Sequence, residues 1–133
     1  MTTHDATLST ATGAHRLELR VADSFASRLR GLMLRAPLAD GHGRTEALLL
    51  VRCTSVHTAF MLQTIDLAYL DHGGRVVRCV ERVAPWRASR AAGRRIVARQ
   101  AAAHVLELPA GAVARLGAAP GARLLLAPRG WIG

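Results

Sequence analysis

The sequence predicts an α+β, mainly β protein: a compact antiparallel β-barrel-like sheet with two short helices. Three observations carry that prediction. Apolar and polar residues alternate with period two at "HRLELRVA", 15–22. The turn "DHGG", 71–74, sits between the apolar runs 65–70 and 75–83, as in a hairpin. Helical spacing is confined to two brief stretches. With 133 residues, half of them hydrophobic and 4 % aromatic, the chain fits one domain whose core is built from Leu, Val, Ala and Ile.

Residues 1–14, "MTTHDATLSTATGA", lack a basic start and an apolar segment, so they read as a disordered leader rather than a signal peptide. The single domain is expected over 15–127, with 128–133 as a tail. In the first strand Leu17, Leu19 and Val21 share one face, and Arg16, Glu18 and Arg20 the other. Asp23 or Ser24 can then cap a helix. Phe25, Leu29, Leu32 and Met33 have helical spacing there, interrupted by Gly31. "LADGHGRTE", 38–46, is turn-rich, and "ALLLVRC", 47–53, is an apolar run suited to a central strand.

Two strands follow, at 56–62 and 65–70, and 75–83 returns after the hairpin until Pro85 ends it. Residues 86–100 show little periodicity and read as an excursion, either loop or partial helix. "AHVLEL", 103–108, is a strand whose Glu107 alternates with Leu106 and Leu108 and is expected to point away from the core. A short helix follows Pro109 and ends at Gly117, and Pro120–Gly121 turns the chain into a last strand, "ARLLLA".

Three segments resemble a known family: "RLRGLML" (28–34), "VHTAFMLQTIDLAYLDHGGRVVRCVERVAPWR" (56–87) and "VLELPAGAVARLGAAPGARL" (105–124). Together they are similar to the family called domain of unknown function 192. The resemblance implies a compact β-barrel-like fold and implies no activity. One departure is visible: Gly121-Ala122 stands where the family has Gly-Asp.

The candidate ligand-binding residues are His57, Thr58, Asp66, Trp86 and Arg87. His57 lies in an apolar strand, as either a satisfied structural residue or a group for proton transfer or ligand contact near neutral pH. Thr58 can assist it or satisfy a neighbouring backbone group. Asp66, between Ile65 and Leu67, needs backbone donors or an arginine to stay charged when buried. Its alternative is a ligand-facing carboxylate at a barrel mouth. Trp86 and Arg87 are either a lid or a stacking platform for an anionic or aromatic ligand.

Charge concentrates in the second half. All eighteen basic residues are Arg; residues 1–66 hold seven of them against six acids, and 67–133 hold eleven against three. Arg90, Arg94, Arg95 and Arg99 form a basic patch. Nucleic acid is a candidate partner for it, but few aromatics are available for stacking, so composition limits this to nonspecific attraction.

No nucleophile elbow, phosphate loop or HExxH is present. Cys53 and Cys79 lack metal-ligand spacing, so no metal and no cofactor are expected, and both read as free thiols. No apolar run approaches the ~18 to 20 residues of a membrane span. The readings in order are a non-catalytic binding or accessory protein for a small molecule or protein, an anion or nucleic-acid binder through 75–99, and an enzyme using His57 and Asp66. A cytoplasmic location follows by default.

Overall fold

The computed structural model describes residues 2–22, 38–41, 43–53, 55–57, 63–84, 88–90 and 102–126. The chain opens with β1 (Thr2–Thr10), which turns into β2 (Gly13–Ala22). The expected leader is therefore a strand. Its apolar content is low, but Ala6 and Leu8 are buried and its threonines suit a pleated surface. It is also paired on both edges, to β2 and to the last strand, β10 (Arg123–Leu126). Pairing, which local composition cannot reveal, decides its structure.

The short β3 (Asp40–Gly41) folds against β4 (Arg44–Leu50). After β5 (Ser55–His57) come β6 (Ile65–Leu70), β7 (Val76–Val83) and β8 (Ala88–Arg90). Then β9 (His104–Pro109) leads into the five-residue helix α1 (Ala112–Leu116). The main sheet runs β10-β1-β2-β4-β9-β6-β7, with β3 alongside β4. It forms a curled half-barrel. Its far ends meet at an Arg75–Arg123 bridge, reinforced where the Val76 amide donates to the Ala122 carbonyl at 2.8 Å. One pair departs from the antiparallel expectation: β2 and β4 are parallel. The intervening chain is long enough for the crossover that a parallel pair requires.

The expected helix at 24–35 and the tail at 128–133 lie outside the described residues. The excursion at 86–100 is corrected at 88–90, where β8 pairs with β5 in a separate two-stranded ribbon. Among the described residues no helix is long and apolar enough to cross a membrane.

Both faces of the central strands are buried, and each carries its own apolar layer. Leu49 of β4, Ala68 and Leu70 of β6, and Leu106 and Leu108 of β9 join the inner layer with Leu8, Leu19 and Leu124. The alternate positions Leu48, Leu50, Ile65, Leu67, Tyr69 and Val105 form an outer layer. This explains why β6 reads as a continuous apolar run: a strand covered on both sides has no solvent face. Each fully buried leucine contributes roughly 1.5–3 kcal/mol of transfer free energy.

Helix α1 is shorter than an isolated helix can be, so its ends are held by the rest of the fold. The hydroxyls of Thr10 and Thr12 both donate to the Leu116 carbonyl, at 2.7 and 2.8 Å. Gly117 then leaves the helix at φ 74°. A Cβ there would stand 2.8 Å from Thr12 Cγ2 and 3.0 Å from its hydroxyl. Gly117→Ala is therefore expected to cost about 1–3 kcal/mol of left-handed strain, with further loss from the displaced threonine. Gly121→Ala shares the positive φ but meets open space, so it should cost less. Urea midpoints of the two variants check this ordering.

Candidate functional site

Asp66 is placed by a bulge. The β6–β7 register shifts between Ile65 and Leu67, and Arg82, opposite, takes the left-handed conformation at φ 53°. The Arg82 amide freed by that irregularity donates to Asp66 Oδ1 at 2.9 Å. Asp66 Oδ2 accepts from the amides of Gly111 (3.0 Å) and Val113 (2.9 Å) at the start of α1. A carboxylate suits that position because the first amides of a helix have no intrahelical acceptor. Asp66 is wholly buried. Its oxygens accept the protein's own backbone amides, the first of the two readings its sequence context allows.

Glu107 is the opposite case. Its alternation predicts a side chain pointing away from the core, solvated or paired with an arginine, yet only 3 % of it is exposed. Alternation does send it away from Leu106 and Leu108, but that second face is the outer apolar layer. Its cross-strand neighbours there are Leu48 on β4 and Leu67 on β6. Among the described residues its Oε2 has no hydrogen-bond partner. Burial raises its pKa from 4.5 to about 8, so the side chain is a neutral acid at pH 7.

The ribbon carries the histidine of the predicted set. Register pairs His57 with Ala88, Val56 with Ser89 and Ser55 with Arg90. Strand alternation then puts positions 55, 57, 88 and 90 on one face of the ribbon. Thr58, Trp86, Arg87, Arg94, Arg95 and Arg99 lie outside the described residues, though sequence places Arg87 and Trp86 directly before Ala88. The described structure thus brings His57 and Arg90 onto one ribbon, while Asp66 is engaged elsewhere with the β6–β7 bulge and α1.

Sequence reasoning also missed His104. It is buried on β9, and its Nδ1 accepts the Arg52 amide at 2.8 Å. The ring of His72, in the β6–β7 turn, meets it edge-on with centroids 5.9 Å apart. Burial first, then the charges of His72 and Arg52, lower its pKa, against an opposing pull from Asp71. No local pattern distinguishes it, because its acceptor role depends on a turn 52 residues away.

The two thiols are half-buried and neither is in a disulfide. Cys79 is pushed up to about 11 by burial and by the charges of Glu81 and Asp66, so it is not a thiolate nucleophile at neutral pH. Among the described residues no group of three or more His, Cys, Asp or Glu could hold a metal. Several first-half charges are paired: Asp5 with Arg16 at 3.1 Å, Arg20 with Glu46 at 3.6 Å and Glu18 with Arg44 within that half, and Asp40 with Arg115 of the second half. A shallow depression of about 310 Å³ between Arg16, Glu18 and Arg44 is lined by these pairs. Such exposed pairs add little stability, but they neutralise that surface.

Comparison with known proteins adds family and fold. The profile of the domain of unknown function 192 family, described as Uncharacterized ACR, matches residues 7–126. A UPF0127 protein of Thermococcus sibiricus is 32 % identical over 107 residues, covering 75 % of this chain and 60 % of the relative. The chain spans no more than 60 % of the length of the curated relatives it matches. A protein of unknown function from Novosphingobium aromaticivorans has a similar fold, with TM-score 0.76 and 23 % identity over 92 % of this chain and 84 % of that one. A Sinorhizobium meliloti 1021 protein, provisionally named as a transcription regulator, superposes with TM-score 0.72 and 27 % identity over 95 % of each chain.

Proposed function

We propose, for a chain that belongs to the domain of unknown function 192 family, that it is a non-catalytic binding protein whose ligand is a small anion held at the β5–β8 ribbon. The observation that carries this reading is the ribbon register, which sets His57 opposite Ala88 and Ser55 opposite Arg90. An imidazole and a guanidinium on one ribbon, with Arg87 and Trp86 next in sequence, supply charge-assisted donors and a stacking surface suited to carboxylate or phosphate. The charge balance agrees, since the acids of residues 67–133 are only three against eleven arginines. A hydrolytic role for His57 with Asp66 lacks support, because both Asp66 oxygens already accept backbone amides.

Isothermal titration with inorganic phosphate and with citrate tests the reading. Saturable binding of at least one anion is expected, weakened about tenfold or more in His57→Ala and in Arg90→Ala, the size of a lost charge-assisted bond. Absence of saturable binding by the unaltered protein would reject the anion site. Binding that neither variant weakens would move it away from the ribbon.

A second reading draws on the description of the Sinorhizobium meliloti relative. Arg90, Arg94, Arg95 and Arg99 would then contact nucleic-acid phosphates. Fluorescence anisotropy with a labelled duplex distinguishes it: affinity should fall steeply and log-linearly with salt. A complex absent at physiological salt removes it.

A further inference from the structure

We infer that His104 is a proton-operated latch on the turn between β4 and β5, closed when its imidazole is neutral and released when it is protonated. The Arg52 amide donates to His104 Nδ1 at 2.8 Å. A nitrogen that accepts an amide proton carries none of its own, so the closed state requires the neutral ring with its proton on Nε2. Adding a proton to Nδ1 turns the acceptor into a donor. Two N–H groups then confront each other, and one must move.

The turn is the part free to yield. His104 belongs to β9, the central strand between β4 and β6, and it is 1 % exposed. Arg52 is exposed and holds the left-handed conformation at φ 54°, an unfavourable state for a residue with a side chain. On either side the backbone is anchored: the Val51 amide donates to Ala22 O and the Cys53 amide to Ala103 O, each at 3.0 Å. The His104 bond is thus what holds the unfavourable residue between two fixed points. Releasing it allows residue 52 to relax between those two anchors.

The groups facing the imidazole set the direction of the switch. His72 from the hairpin turn meets its ring edge-on, Arg52 lies on the turn itself, and Asp71 opposes both. With burial, they place the folded-state transition below the ordinary 6.5. In that window the unfolded chain binds more protons than the folded one, so both the latch and its stabilisation are present at neutral pH and lost on acidification. The latch concerns the turn alone and holds whether or not the ribbon takes an anion.

Backbone amide exchange and imidazole nitrogen shifts, followed by NMR from pH 7.5 to 5 on the full chain, test this. We expect the protection factor of the Arg52 amide to fall about tenfold for each pH unit from 6.5 down to the His104 transition and to level off below it, with the backbone shifts of residues 51–53 moving in the same titration. In His104→Asn the side-chain oxygen can replace Nδ1 as acceptor without titrating, and neither change is expected. If Arg52 protection persists while His104 titrates, or His104 stays neutral throughout, the latch is rejected. The same pH response in His104→Asn would also reject it. Should that variant not fold, the two wild-type observations still decide the matter.

Discussion

Asp66→Ala is expected to remove a large part of the stability of the fold. The carboxylate accepts three backbone amides that have no other acceptor in place: Arg82 at the bulge and Gly111 and Val113 at the head of α1. Each buried amide left unsatisfied costs about 1–3 kcal/mol. After relaxation the loss should still reach about 3–5 kcal/mol, against a total of only about 5–15 kcal/mol for an ordinary domain. Asp66→Asn gives a finer test. Its single oxygen can serve the two helix amides or the bulge amide, but not both, and its NH2 group would oppose the other. We expect it to keep the helix contacts and expose the bulge, so that Arg82 exchanges faster while Val113 remains protected. A thermal melt unchanged in Asp66→Ala would refute the assignment.

The second large effect belongs to Glu107, and its sign is opposite to that of an ordinary surface carboxylate. Its folded pKa of about 8 lies above the unpaired value of 4.5. Between those values the folded state keeps a proton that the unfolded state has lost. Stability is therefore fully present below 4.5 and declines as pH rises towards 8. Among the described residues with shifted values, His104 contributes below 6.5 and Cys79 only above the ordinary thiol value of 9.0, so the interval from 6.5 to 8 singles out Glu107. Across it the protein should lose up to about 2 kcal/mol. Glu107→Gln should flatten that slope. Glu107→Met, similar in volume and free of an ionisable group, should be more stable than the native chain at pH 8. Urea unfolding at the two pH values provides the measurement. A native slope that survives in Glu107→Gln would assign it to another group.

These two carboxylates show how far the sequence could be read. Alternation put Asp66 and Glu107 on definite faces of their strands. It could not say what covers a face. For Glu107 that depended on Leu48, Leu67 and Tyr69 arriving from two other strands to form a second apolar layer. The uninterrupted apolar character of 65–70 was the available sign that the sheet is covered on both sides. The strands with strong local patterns, β2, β4, β6, β7 and β9, were legible to within a few residues, as was the hairpin at 71–74. The strand β1 was not, because its stability comes from two partners, one of them at the far end of the sequence. The parallel placement of β2 beside β4 was hidden for the same reason. At the candidate site, His57 and Arg90 were each recognisable as residue types, but their common ribbon depends on a pairing across the segment between β5 and β8.

The position of β1 has a consequence for how the molecule assembles. Its register joins Ala6 to Leu17 on one side and to Leu126 on the other. The first partner is available as soon as the β1–β2 hairpin has been made. The second lies at residues 123–126, so the opposite edge of β1 stays unpaired until those residues have been made. During synthesis the growing chain therefore carries an open strand edge that can pair with a neighbouring molecule. Closure at β10 joins residues as far apart as Ala6 and Leu126, a contact order that favours slow folding over fast.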